Sequence, residues 1–297
     1  DASIMLKNLK LDIFDKYLNA YEISGLKGDA NGTVMISGSI KQPKIDGVVN
    51  LKQTEFVYDY LKLKALTEDK VYIGNDRFYF DNFKVVDENG NRGTINGGIY
   101  HDNFKNFRFG LLANLNDFKV MNTKLIDNNL FYGTVYASGG LTVEGTPGNF
   151  SIYAGATTEA GSKFVLPMED TYHAKNTNFI TFATADEQEP ETNDSKYSTS
   201  KYTIKLDIDV KPDAEVQIVF DPRTGDRIKA NGEGMLKIEY NSDEELYMYG
   251  EIEIAKGDYL FTLENIINKR FTIPAGGTIT WNGNPYEGKL NLDAVYT

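Results

Sequence analysis

Alternation restricts this chain more than any other feature. In YTIKLDIDV, Tyr202, Ile204, Leu206, Ile208 and Val210 fall on one side, with Lys205, Asp207 and Asp209 on the other. MLKIEY repeats the pattern with Leu236, Ile238 and Tyr240, and GEIEI sets Ile252 and Ile254 against Glu251 and Glu253. GDYLFTL continues it with Tyr259, Phe261 and Leu263. After a turn over residues 274–277 it resumes at Ile279 and Trp281. The final stretch, KLNLDAVY, puts Leu290, Leu292, Ala294 and Tyr296 opposite Lys289, Asn291 and Asp293. A period of two sends alternate side chains to opposite faces of a strand, so each segment has one apolar face and one wet face.

An apolar face of this size needs a cover. Burying one such side chain is worth about 1.5–3 kcal/mol. A dozen left in water would forgo about 20–30 kcal/mol, more than the net stability of about 5–15 kcal/mol typical of a domain. The cover is a second wall of the same protein, a partner, or an apolar ligand. Periodicity by itself favours the first, as in a β-sandwich. Gly-led strands at intervals of eight to twelve residues, as in GDANGTVMISGSIKQPKIDGVVNL and GTVYASGGLTVEGTPGNFSIYAGA, extend the all-β reading over most of the chain. The intervals are too irregular for a propeller or a leucine-rich solenoid. Roughly twenty strands at about 4.8 Å each would give a single curled sheet on the order of 100 Å long.

Two segments depart from this pattern. Leu6, Leu9, Ile13, Phe14, Tyr17, Leu18 and Tyr21 recur at spacings of three and four, which predicts a short amphipathic helical lead over residues 1–24, ended by Gly25 and Gly28. Its expected place is against the sheet, with a membrane surface as the other option. Residues 25–297 then form one β domain. Within it, residues 169–201 lose the alternation except at NFITF, and the acidic, Ser/Thr-rich part from 186 to 200 reads as a mobile insertion.

The sequence offers little chemistry. The net charge of −12 argues against nucleic acid, which needs clustered Lys and Arg. There are no cysteines, hence no disulfides and no thiolate nucleophile. No run of about 18 apolar residues exists to span a membrane as a helix, and a start at Asp without a signal peptide reads as a fragment or processed form. The two histidines, His101 and His173, lie in turn-like or loop-like sequence. GATTEAGSK from Gly155 misses the P-loop spacing, with Ser162 before Lys163. DENGNRG places Asp87, Asn89 and Asn91 at calcium-loop spacing, but Arg92 and Gly98 occupy positions that need Gly and Glu, so a hairpin turn is expected there. The carboxylate pairs Asp207/Asp209 and Glu251/Glu253 belong to solvated strand faces. No catalytic set emerges and no cofactor or metal is called for.

The C-terminal stretch from Gly250 to Thr297 resembles the end of the TamB family, the translocation and assembly module subunit of the Gram-negative envelope. The shared signature is carried by Gly257, Tyr259 and Phe261, Asn265 and Asn268, Phe271 and Ile273, Gly277 and Trp281, Gly283 and Pro285, and Ala294 and Tyr296. NFITF, PDAEVQIVFDPRTGDRIKANGEG and SGSIKQPKIDG are similar to its Bacteroidetes-type members. The resemblance implies an elongated, U-shaped, taco-like sheet whose concave face is an apolar groove. It implies a non-enzymatic, periplasm-spanning protein held in the inner membrane by an N-terminal helix that this sequence lacks. Its partner would be an Omp85-type outer-membrane protein, TamA- or TamL-like. Two roles are implied: conducting phospholipid along the groove, and assisting assembly of outer-membrane protein clients.

On that reading the alternating stripe from Ile204 to Trp281 lines the groove, and Leu290, Leu292, Ala294 and Tyr296 form a partner-docking edge. The competing expectation is a closed, adhesin-like sandwich without a lipid ligand.

Overall fold

The computed structural model describes residues 2–19, 22–39, 42–168, 201–221, 224–243, 245–263 and 267–296. The expected insertion over residues 169–201 lies outside them except for Lys201, as do His173 and Asn265. Strands dominate, as the alternation predicts. From one edge the ladder runs through β1 (Ala2–Lys10), β2 (Ile23–Ser39) and β3 (Gln42–Tyr58) to the collinear pair β4 (Leu63–Thr67) and β5 (Lys70–Gly74). It continues through β6 (Arg77–Val86), β7 (Arg92–Asp102), β8 (Lys105–Thr123) and β9 (Tyr132–Thr146). Next come the pairs β10 (Asn149–Thr158) with β11 (Lys163–Pro167) and β12 (Lys201–Val210) with β13 (Glu215–Asp221). The long strands β14 (Asp226–Asn241) and β15 (Leu246–Leu263) follow, then β16 (Ile267–Ile273) with β17 (Thr278–Gly283). The last rung is β18 (Lys289–Asn291) with β19 (Val295–Tyr296).

Among the described residues five rungs are pairs of short collinear strands, so the nineteen strands make fourteen rungs. At about 4.8 Å per rung the ladder is roughly 60 Å long, well short of the expected 100 Å. The strand number is close to the roughly twenty expected; the ladder is shorter because five rungs each hold two strands.

Those breaks line up across the ladder and crease the sheet lengthwise. Asn8, Gln53, Asn82 and Asp117 each take φ between 46° and 51°. Each sits at a one-residue register shift, such as Leu6/Leu9 on β1 or Phe80/Phe83 on β6. An extra residue in one strand bends it and strengthens its twist. The amide left over is satisfied the same way each time, by a side chain on the neighbouring rung. The Asn8 amide donates to Asn31 Oδ1 at 2.8 Å, Gln53 to Glu68 Oε1 at 3.2 Å, Asn82 to Asn96 Oδ1 at 2.7 Å, and Asp117 to Ser138 Oγ at 2.9 Å. Further along, the gap between β10 and β11 is filled by Ser162. Its hydroxyl donates to the Tyr136 carbonyl and accepts from the Tyr136 amide, both at 3.0 Å. This is the segment with P-loop flavour; it runs from strand to strand with no helix after it.

The crease divides every long strand into two halves. Wall 1 contains β4, β11, β13, β16 and β19; wall 2 contains β5, β10, β12, β17 and β18. The pairing is antiparallel at every rung but one: β10 runs parallel to β12, and β11 to β13. The chain leaves β11 at the outer rim of wall 1 and re-enters at β12 on the outer rim of wall 2. Parallel neighbours need a long return connection, and residues 169–200 provide it.

The lead segment corrects the helical expectation in part. Residues 2–10 form β1, paired with β2, and Leu11–Phe14 make a 3-10 turn before the short helix α1 (Asp15–Leu18). Gly25 and Gly28 lie within β2. The spacing of three between Leu6 and Leu9, which reads as helical, is the bulge at Asn8: three residues on β1 oppose two on β2.

Candidate functional site

The two walls fold face to face, and their inward sides answer the question of cover. One core joins Ile218, Ile228 and Ile273 of wall 1 to Leu236, Met248, Ile252, Ile279 and Trp281 of wall 2, with Ile254 at the crease. Ile254 is 1% exposed and Trp281 2%. At this end of the ladder the cover is the opposite wall, as in a sandwich. A second core gathers Ala65, Phe83, Val85 and Phe118, with Phe56, Val71 and Phe80 packed on it.

The alternation places its side chains as the sequence indicates. On β12, Ile204, Leu206 and Ile208 are half-buried and Val210 buried, while Lys205 and Asp207 are exposed. On β14, Leu236 and Tyr240 are buried and Ile238 half-buried, against exposed Lys237 and Glu239. Glu251 and Glu253 point outward beside buried Ile252 and Ile254. Between Ile254 and Tyr259 the parity changes. A register shift opposite Asn231 and Gly232 restores it, so Tyr259 pairs with Ile228 on the inward side. Tyr259 stacks on Phe271 at 6.0 Å and meets Phe220 and Phe261 edge-on at 6.2 and 6.1 Å. Leu263 ends β15.

Between the walls lies an apolar gap of about 90 Å³, lined among others by Phe164, Leu166, Ile208, Leu236, Met248 and Trp281. Such a gap is dry when empty. The Trp281 indole N–H donates to the Pro285 carbonyl at 3.1 Å, so its polar atom is satisfied within the core. One carboxyl intrudes on the inner side. Burial, with Asp221 nearby, pushes Asp226 up, although the Tyr259 hydroxyl hydrogen-bonds it. On the outer face a shallow hollow of about 490 Å³ is lined by Tyr153, Lys205, Asp207, Lys237 and Glu239.

Toward the other end the interior opens. Ile4, on the inward side of β1 opposite Val34, is 47% exposed. In wall 1 this rung has no strand beside β2, only the 3-10 turn and α1, which bury none of their residues. Ile13, Phe14 and Tyr17 remain exposed there.

The final alternating stretch is not one strand. β18 and β19 are separated at residues 292–294 because the rung beside them is itself interrupted between Ile273 and Thr278. Gly277 makes the close approach possible: a Cβ there would sit 2.9 Å from the Leu292 Cβ. Leu292 is half-buried against the core, while Leu290, Ala294 and Tyr296 are exposed. Among the described residues nothing pairs with the outer side of β18 or β19.

The calcium-like stretch is a hairpin turn. The buried Asp87 carboxylate accepts from the backbone amides of Asn89, Asn91 and Lys119 and from the Asn91 side chain. Burial works against ionisation, but these bonds, led by that of Lys119, hold the carboxyl below its usual value. The hairpin turn is as expected from the sequence; the part that the Asp87 carboxylate plays in holding it is not among those expectations. His101 is buried between Phe78, Phe104 and Phe107, and its Nδ1 accepts from the Phe104 amide at 3.3 Å. Also missed was a group of tyrosines at the outer rims. Burial, with Glu22, Tyr60 and Tyr202 nearby, pushes the Tyr58 hydroxyl up to about 12. Burial and the phenols of Tyr60 and Tyr202 push Tyr240 higher still.

Among the described residues, no group of three or more His, Cys, Asp or Glu is placed to hold a metal ion, and no helix is long and apolar enough to cross a membrane. Neither the curated proteins nor the solved structures give a match to the chain. The family model of the TamB C-terminal domain matches residues 81–297.

Proposed function

Since the chain belongs to the TamB C-terminal domain family, a family of envelope biogenesis, we propose that its creased sheet carries phospholipid acyl chains along the apolar interior between the inner and outer membranes. The observation that supports this best is the change in cover along one continuous apolar face. That face is closed by the opposite wall at Ile254 and Trp281 and left half-open at Ile4. A protein that only needed a core would gain about 25 cal/mol for each further Å² of apolar surface it covered. An open apolar end is what an acyl chain would enter. The protein acts in the periplasm, held at the inner membrane, and hands its cargo to an Omp85-family partner. It performs no covalent chemistry and uses no cofactor. Lipid extraction of the purified protein followed by mass spectrometry tests this. Bound phospholipid, lost when Ile4 and Val34 are both changed to Asp, is the expected result. A lipid-free protein would leave the closed sandwich as the better account.

A second reading is favoured by the last rung. Among the described residues β18 and β19 present an unpaired edge, and such edges invite strand addition. The edge carrying Leu290, Leu292, Ala294 and Tyr296 docks on the periplasmic part of the Omp85 partner or on a client strand. Deleting residues 290–297 should then abolish that association, read by pull-down. Undiminished capture by a folded truncated chain would place the docking elsewhere.

A further inference from the structure

Tyr60 lies outside the ladder's strands. It sits in the short connection between β3 and β4, at the outer rim of wall 1, and its ring crosses to wall 2. There it stacks on Tyr240, near the end of β14, with ring centroids 6.4 Å apart and planes 18° from parallel. Tyr240 meets Tyr202 at 5.9 Å, and Tyr202 stacks on Phe150 at 5.8 Å. On its own side Tyr60 meets Phe131 edge-on at 6.2 Å. β3 and β14 lie far apart along the ladder, so strand pairing does not produce this contact. It is made across the mouth between the rims.

The connection is held from wall 1 only. The Asp59 amide donates to the Glu22 carbonyl at 2.7 Å, and the Asn122 amide to the Leu61 carbonyl at 2.9 Å. Among the described residues no backbone hydrogen bond ties residues 59–62 to β12 or β14. The tie across the mouth therefore consists of side-chain contacts, which can part without unzipping a rung. Tyrosine suits such a contact: its ring packs when the mouth is shut, and its hydroxyl finds water when the mouth is open.

We propose that Tyr60, Tyr240 and Tyr202 form a clasp that closes the interior part-way along the trough and opens to let an acyl chain pass. This rests on the acyl-conducting reading. When the clasp is shut, cargo entering at the open end stops short of the packed end. When it is open, the rims separate and the inward faces of β12 and β14 become reachable.

The chain has no cysteine, so introduced pairs report alone. Lys62→Cys and Lys201→Cys, one on each rim, carry nitroxide labels for pulsed distance measurement, with and without phosphatidylglycerol vesicles. Tyr60→Cys with Tyr240→Cys, joined by a short reducible thiol cross-linker, locks the clasp. Uptake of fluorescent phosphatidylethanolamine from those vesicles is then followed. The clasp predicts two distances, with the longer gaining population when vesicles are added. It also predicts at least a tenfold loss of uptake on cross-linking, regained on reduction. Measurable uptake that is equal in locked and reduced protein overturns it, as does a single distance that vesicles leave unchanged. Two distances with no uptake by any form would keep the clasp and remove the acyl-conducting reading.

Discussion

The two ends of the trough both turn apolar residues inward and reach opposite outcomes. Around β14, β15 and β17, inward residues such as Ile252, Ile254, Ile279 and Trp281 are all but inaccessible. Around β1 and β2 the inward-facing Ile4 stands half in solvent, in a stretch where apolar residues run on consecutively from Ile4 to Leu6. The outward sides differ too. Lys205, Lys237 and Glu239 cover β12 and β14, whereas Met5 and Met35 stand 65% and 58% exposed on the outward face of β1 and β2, diagonally across from each other. Alternation decides which face a residue takes. The presence of a facing wall decides whether that face is dry. At the packed end both walls are complete; at the open end wall 1 gives way to a 3-10 turn and one turn of helix.

The comparison can be broken by putting charge on each inward face. Ile254→Asp buries a carboxylate with no partner and should cost more than about 4 kcal/mol, enough to unfold the domain. Ile4→Asp should cost under about 1 kcal/mol, because water already reaches that position. Urea denaturation followed by circular dichroism reads both, and similar losses would remove the distinction. Leu206→Asp and Ile238→Asp, at half-buried positions, should fall between them.

Trp281 sharpens the account of the packed end. Trp281→Ala should cost about 3–5 kcal/mol through the cavity it leaves. Gly288→Ala should shift the indole, since a Cβ there would lie 2.7 Å from its Nε1. Trp281 is the only tryptophan, so its emission maximum should move to longer wavelength in that variant.

Asp87 tests the middle of wall 1, where one carboxylate gathers three backbone amides. Asp87→Ala should cost about 1–3 kcal/mol by leaving those donors unpaired. Its folded-state value is lowered. Its contribution is therefore present above the ordinary carboxylate value near 3.9 and lost as pH falls through the lower folded value. The wild type should lose more stability than Asp87→Asn over that acidic window. The smallest effect belongs to the outer face of the packed end. Lys205→Ala breaks an exposed pair with Glu239 at 3.7 Å and should change stability by no more than about 0.5 kcal/mol.

Much of this was readable from the sequence, and the part that was not has a definite cause. The inward and outward assignments of β12, β14, β15 and β17 follow from period two. The crease does not, because a bulge adds a single residue and the alternation resumes beyond it. At Leu6 and Leu9 the bulge even imitates a helix. The parity change between Ile254 and Tyr259 was visible as an odd spacing, and could have been read as a bulge. The long polar stretch after β11 read as an insertion. Its topological reason, the return from the rim of one wall to the rim of the other, needs the pairing of β10 with β12. The contact of Tyr60 with Tyr240 had no local signal, since it joins residues far apart in both sequence and ladder.

The central claim is that one apolar face is shut at one end and accessible at the other. Single cysteines at inward positions measure this directly, because the natural chain offers no competing thiol. Ile4→Cys, Leu206→Cys and Ile279→Cys would each be reacted with a small maleimide under native conditions and timed. The account predicts a rate for Ile4→Cys near that of an exposed thiol, an intermediate rate for Leu206→Cys, and a rate at least a hundredfold slower for Ile279→Cys. Comparable rates at Ile4→Cys and Ile279→Cys in folded protein would contradict it.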